Sequence, residues 1–490
     1  MEAISPVWDI FPPSSQIDVS TTDYQFQEYK LATADPSNLQ EYKLYLTDKD
    51  SFFYPRESYL AVKVNPLQGT GGTAPNAAIS AAQQMATVND AWHLFKTARL
   101  LFDNVEIENV SDPGPTHLIK QLTEYSKNFT SSVAKNWFFY PDTASDLHAT
   151  ATVRETAAPL NLTIVGPTTY PSGMYSRTNL KQSGGAAVAN ISINSELNAN
   201  HNEGFKKQVD KCKGQYWVYL PLSEIFPILK DFNRVIRGVN ITVILQKNTN
   251  YQQVFFGNNT TVGANTNSNP YFNITDMSLW MPRLTPSAEV NAMMDKMLNS
   301  GQKQVIRYDH QEIFIQPTFG NQGGSQRWQV TPTVSRPKHI IVGFQFDDRS
   351  ASYELNSAQF DNLSLTAIEV RVNGKLYPRE PYIVNTSANL ASNDYMRPLL
   401  DLQRLNGKTD DYADGTVVDV DNWKDIYQLY CFDISHMDEG IYKNQKKSEI
   451  EIRWTLAGAP GGTYTPYCYV SAEREIEFLA AGSELSFTKL

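Results

Sequence analysis

Apolar and polar side chains alternate with a period of two through much of this chain. Across residues 448–456, Ile450, Ile452, Trp454 and Leu456 fall on one side, and Glu449, Glu451, Arg453 and Thr455 on the other. Residues 236–244 read the same way. Such alternation predicts strands with one face buried and one wet, as in a two-sheet sandwich. The pattern also recurs along the chain in four blocks of the same order. Tyr54-Pro55-Arg56 leading into Tyr59–Val64 is echoed by Arg336-Pro337-Lys338 leading into Ile340–Phe344. Residues 100–107, which contain the turn Asp103-Asn104, are echoed by 367–374 with Asn373-Gly374. A helical stretch follows each, 116–129 and then 393–405. Last, an aromatic strand, an irregular connector and a β-branched strand (216–245) match 427–456. The expectation is a duplicated all-β unit.

The copies differ in their loops. Leu60 and Val218 lie 158 positions apart (218 − 60), and the matched Ile341 and Leu429 lie 88 apart (429 − 341). The surplus of about 70 residues falls in 131–212, a stretch without long apolar periodicity, and loops of that length belong on a surface. Residues 1–25 read as an arm interrupted by Pro6, Pro12 and Pro13. Its Trp8, Ile10 and Phe11 would be costly to leave in water together, so the arm either folds back on its own domain or docks on a neighbouring subunit. The first unit then spans 26–285, a connecting helix 286–304 and the second unit 305–490. The connector has helical spacing at Val290, Met293, Met294 and Met297 and a proline near its first turn. Those methionines, with the arm aromatics, are the candidate subunit-interface residues.

At 490 residues the chain can hold two or three domains, each with a full core. Charged residues are only 19% of it, while β-branched and aromatic residues and Asn are plentiful, which favours strands and turns. The net charge of −10, with no Lys/Arg cluster longer than two, argues against gripping nucleic acid through a basic tail. Three scattered cysteines (Cys212, Cys431, Cys468) suit neither a disulfide framework nor a zinc site and point to a reducing compartment. Residues 1–6 lack the features of a secretory signal, and no run of 18 apolar residues occurs.

Catalytic motifs are missing: no phosphate-binding glycine loop, no GxSxG elbow, no HExxH and no paired CxxC. On a strand, His310 and Glu312 would share a face, which two metal ligands or a solvated polar edge could equally use. The acidic run around Asp410, Asp411, Asp414, Asp419 and Asp421 departs from Ca²⁺-loop spacing and reads as a solvated loop. The turn His436–Gly440 carries no pattern of chemistry. Trp217-Val218-Tyr219 could line a sugar or base site, but in a sandwich such residues are usually core and interface. The expectation is no enzyme, no cofactor and no metal.

With strands, connector and repeat in place, the sequence resembles the double jelly-roll major capsid proteins of DNA viruses and virus-like transposons, above all the Polinton (Maverick) and adintovirus branch. The residues carrying this are 24–30 (YQFQEYK), 52–64 (FFYPRESYLAVKV), 89–105 into 116–129, 220–227 (LPLSEIFP), 234–245 and 274–286 (ITDMSLWMPRLTP). The resemblance implies two tandem jelly-roll sandwiches with short helices in the connecting loops. It further implies homotrimers of pseudo-hexagonal outline that tile an icosahedral shell around a DNA genome within the virion. Penton and minor capsid proteins would be partners, without sequence-specific nucleic-acid binding, and an internal membrane is left open. The alternative from another class is a carbohydrate-binding jelly-roll protein.

Overall fold

The computed structural model describes residues 20–141, 214–258, 268–299, 303–481 and 484–489, less 34, 71–76, 79–83, 89, 331, 333–335, 352–355, 387–393, 406, 408, 410–413 and 436–447. From the interval between 141 and 214 it adds only the paired dipeptides Leu162–Thr163 and Gln182–Ser183.

The first half contains β1 (Thr21–Lys30), β2 (Glu41–Leu46), β3 (Tyr59–Thr70), β4 (Phe95–Phe102), β5 (Val105–Ser111), β6 (Tyr216–Pro221), β7 (Ile241–Lys247) and β8 (Ser268–Pro286). They build two antiparallel sheets, ordered β1-β8-β3-β6 and β2-β7-β4-β5. The second half contains β9 (Lys303–Ile315), β10 (Gly324–Val330), β11 (Pro337–Phe346), β12 (Leu365–Val372), β13 (Lys375–Ile383), β14 (Leu429–Asp433), β15 (Ile450–Leu456) and β16 (Tyr464–Ala481). Its sheets are β9-β16-β11-β14 and β10-β15-β12-β13. Adding eight to each strand number of the first half gives the order in the second. The eight strands named in each half form a jelly roll, to which shorter strands add at the edges, so the repeat in the sequence is a repeat of topology.

The local rules behind the match are visible. The β4–β5 and β12–β13 hairpins turn through two residues in the left-handed region, Asp103 (φ 46°) with Asn104 (φ 67°) and Asn373 (φ 51°) with Gly374 (φ 81°). That geometry matches the right-handed twist of the flanking strands and selects Asn and Gly. Along β15 the burial alternates as the sequence predicts, with Ile450, Ile452, Trp454 and Leu456 inside. In the other roll Leu60, Val62, Leu100, Val243 and Leu279 are enclosed in the same way.

Four helices matter here: α1 (Pro113–Glu124), α2 (Pro227–Asp231), α3 (Ala288–Asn299) and α4 (Met396–Leu405). α1 and α4 hold matching places, between the fifth and sixth strands of their rolls. α1 ends before Phe129 because Tyr125 turns extended (φ −79°, ψ 144°) and Ser126 caps a new helix by accepting from the Phe129 amide at 3.2 Å. The first strand begins at Thr21 rather than after residue 25, pairing with β8 out to Pro286. Residues 236–240 are not part of β7. Gly238 sits at φ 82° with its amide donating to Lys49 O (3.1 Å), and the Asn240 amide donates to Asp103 Oδ1 (3.1 Å), so the chain is looped until Ile241. Among the described residues no helix is long and apolar enough to cross a membrane.

Candidate functional site

The outer face of the β1-β8-β3-β6 sheet carries an aromatic stripe across all four strands. Register puts it there: Trp280 lies opposite Tyr59, and Tyr59 opposite Pro221, with Tyr219 two residues along β6. Phe26 and Tyr59 rings are 5.8 Å apart, Tyr59 and Tyr219 5.9 Å, and Tyr59 stacks on Trp280 at 6.1 Å. Tyr24 packs edge-on to Phe26 and donates its hydroxyl to Glu57, and the Lys63 ammonium lies 5.8 Å over the Trp217 ring. Tyr219 is 50% exposed and Phe26 40%, with Tyr24 and Trp217 comparable. A connected apolar surface of this kind in water marks a contact surface.

Behind α1 lies a buried ionic cluster. His117 Nδ1 donates to Asp90 Oδ2 (2.6 Å), Tyr125 OH donates to Glu224 Oε2 (2.6 Å), and Lys120 Nζ lies 3.2 Å from the same oxygen while donating to Glu224 O (2.7 Å). Burial alone would raise Glu224 and discharge His117. For Glu224, Lys120 first and then His117 and Tyr125 reverse that and hold the carboxyl well below its ordinary range. For His117, Asp90 and Glu224 outweigh the burial and raise its pKa. The side chains of His117, Asp90 and Lys120 are sealed from solvent, so the arrangement fixes α1 in place and offers no substrate an approach.

A second cluster joins the rolls. Glu108 on β5 is fully buried against the second roll, 3.8 Å from His310 Nδ1 on β9. His310 Nε2 lies 3.2 Å from Glu312 Oε1, which also meets Arg474 Nη2 at 3.5 Å. Burial raises the Glu108 carboxyl, opposed by His310 and Arg474. Nearby the Asp309 amide donates to Asp231 Oδ2 of α2 at 3.0 Å.

A cavity of about 400 Å³ opens beside α4, lined by His339, Tyr377, Tyr382, Asp401, Arg404 and Cys431 among others. Tyr382 OH lies 2.8 Å from Asp401 Oδ2 and 3.0 Å from Cys431 O. Burial, reinforced by Asp401, pushes the Tyr382 phenol far up, and burial does the same to the Cys431 thiol. Both stay protonated at neutral pH, so neither is an activated nucleophile.

His310 and Glu312 do share a strand face, as the sequence suggests, but as a sealed inter-roll contact rather than a solvated edge. Among the described residues no group of three or more His, Cys, Asp or Glu is placed to hold a metal. The acidic run is likewise spent on structure where it is described. Asp414 accepts from the Asn128 amide (3.1 Å), tying the rolls together, and Asp419 caps the helix Val420–Asp425. Asp410, Asp411, residues 436–440, and Trp8, Ile10 and Phe11 of the arm lie outside the described residues, as do the side chains of Asp421 and Met297. Met293 on α3 is 59% exposed and Met294 half-buried. Trp217 and Tyr219 flank a fully buried Val218, so they are surface rather than core.

Sequence reasoning missed the cluster behind α1 and, of the second, found only the His310–Glu312 pair. Lys120 and Glu224 are 104 positions apart, and Arg474 lies 162 from Glu312, so only the fold brings them together. For the cluster behind α1 the one local signal was polar residues His117, Lys120 and Gln121 at helical spacing on a segment otherwise fit for burial.

A family model described as a double jelly roll-like domain matches residues 187–476. No curated protein matches the sequence. Among solved structures, a chain of the Sputnik virophage, seen by electron cryo-microscopy, aligns over 100% of this chain and 93% of its own with a TM-score of 0.57 and 9% identity. The Faustovirus major capsid protein aligns over 95% of this chain and 92% of its own, with a TM-score of 0.51 and 10% identity. At such identities the likeness is one of fold, and it extends through both rolls.

Proposed function

This chain belongs to the double jelly roll-like domain family, and on that premise we propose that it is a major capsid protein, the building block of a virion shell around a DNA genome. The observation that carries this is the exact doubling of strand order within one chain, joined by an α3 connector. Two like units per chain let three chains present six similar sectors, so a trimer imitates a hexagon and can tile a shell. Closed rotational symmetry needs a head-to-tail contact that completes a ring. The match in fold to a protein named a major capsid protein supports the same reading. On the segments that carry the resemblance, the branch we favour is that of the Polintons and adintoviruses. Neighbouring blocks, and penton and minor proteins at the vertices, are its partners. The arm aromatics and the α3 methionines, Met293 foremost, are contributors to contacts between copies.

Light scattering on the purified, size-fractionated protein tests the oligomer. The expected mass is that of three copies of the 55.2 kDa chain. A monomer under every condition tried, including high protein concentration and high salt, would remove the proposal.

A further inference from the structure

The two rolls are copies, yet they bury different surfaces, and the difference identifies a docking contact. Leu60 matches Ile340, one position from the Ile341 that the sequence pattern pairs with it: Tyr59 and His339 oppose the last residue of the sixth strand of their rolls (Pro221, Asp433), and Leu60 and Ile340 pair with Leu279 and Val470 of the last. The outer-face residues then correspond: Tyr59 with His339, Ser278 with Tyr469, Ala61 with Ile341 and Tyr219 with Cys431. In the second roll this face is covered. Tyr469, Ile341 and Cys431 are all buried. Roll one supplies part of the cover: α1 packs against β9 and α4, and burial, then the Glu124 carboxylate at the end of α1, raise the Tyr469 phenol. In the first roll Ala61 and Ser278 are buried too, and the contrast lies at Tyr219 and Trp217, which are exposed where their counterparts Cys431 and Leu429 are buried.

The flank shows the converse. α1 is buried around almost its whole girth, while its counterpart α4 leaves Met396 57% exposed, with Leu400 and the adjoining Ile383 of β13 also open. The Arg397 guanidinium over the Tyr382 ring (5.2 Å) keeps the start of α4 beside the end of β13.

One half of an interface made within the chain is thus left open at each end. We infer that the aromatic face of the first roll (Tyr24, Phe26, Tyr59, Trp217, Tyr219, Trp280) receives the α4–β13 flank of the second roll (Ile383, Met396, Leu400) from a second copy of this chain. The flank is the counterpart of the α1 side that the first roll already packs against the second within the chain, so the matching surface left open in the first roll is the one it fits. This contact rests on the capsomer reading and names the surfaces that close it.

The test pairs a face variant (Phe26→Glu with Tyr219→Glu) and a flank variant (Met396→Glu with Leu400→Glu), each checked for a wild-type melting profile. Each alone is expected to lose at least ten-fold of its oligomer by light scattering, and an equimolar mixture is expected to give one-to-one dimers through the single intact contact. As a second readout on the wild-type oligomer, hydroxyl-radical footprinting is expected to protect Tyr219 and Met396 while the equally exposed Tyr45 stays reactive. An oligomer retained by either variant overturns the placement. That includes a face-on-face contact, in which the flank variant assembles, and cover by the chain's own residues 1–19, in which the face variant does. Tyr219 and Met396 as reactive as Tyr45 in the oligomer overturn it as well. A wild-type chain that stays monomeric sinks both this placement and the capsomer reading, whereas a wild-type trimer unaffected by the variants sinks the placement alone.

Discussion

Replacing Lys120 by alanine is expected to lower the free energy of unfolding by about 3–5 kcal/mol at neutral pH, since it strands a buried charge partner. The Lys120 side chain is 1% exposed, and its ammonium is the first of the groups that hold Glu224 ionised. Without it the Glu224 carboxylate keeps only Tyr125 and His117, and the cluster that seats α1 between the rolls loosens. The pH dependence identifies the cause. Glu224 has a depressed pKa in the folded chain, so its contribution is present above about pH 4.5, its ordinary value, and is lost as pH falls through the folded value. His117 has a raised pKa, so its contribution is full below about pH 6.5 and fades as pH rises through its folded value. Urea melts of the wild type and Lys120→Ala should therefore differ most near and above pH 5 and converge as Glu224 is protonated. A gap that stays constant down to pH 3 would mean that lost packing, not the stranded carboxylate, causes the destabilisation.

Trp454→Ala is expected to cost about 3–5 kcal/mol, the range for removing a buried aromatic from a core. The Trp454 indole is 1% exposed, packs 5.1 Å from the Phe319 ring and 5.3 Å from Phe344, and donates to Tyr464 OH at 3.1 Å. It ties the two sheets of the second roll together, since it stands on β15 while Phe344 and Tyr464 stand on β11 and β16 of the facing sheet. Truncation leaves both a cavity and a Tyr464 hydroxyl without its indole donor. The denaturant midpoint should fall with little change in slope, and Trp454→Phe should recover a large part of the loss. If Trp454→Ala shifts the midpoint no more than an exposed control such as Tyr45→Ala, the core of the second roll is not organised as described.

The strands of both rolls were legible because period-two alternation and turn chemistry are local signals. Ile450 to Leu456 alternate in sequence and in burial, and Asn373-Gly374 announces a hairpin from two residues. The repeat added what no single strand could, namely which strand matches which. Where the reading slipped, a local rule was overridden by a distant contact. Residues 236–240 alternate but are looped, because Gly238 and Asn240 hydrogen-bond to Lys49 and Asp103 far back in the chain. The contact surface was legible only in part. Trp217 and Tyr219 stand out in sequence, but their company with Phe26, Tyr59 and Trp280 is set by register across four strands. The ionic cluster behind α1 was hidden for the same reason, since Asp90, His117, Lys120 and Glu224 become neighbours only once α1 is seated.

The central claim is that duplication within the chain lets few copies close a ring of many like units. Class averages of the purified oligomer by electron microscopy test it most directly. The account predicts particles with threefold symmetry and a six-lobed outline, two lobes per chain. Twofold particles, open filaments, or threefold particles with only three lobes would contradict it.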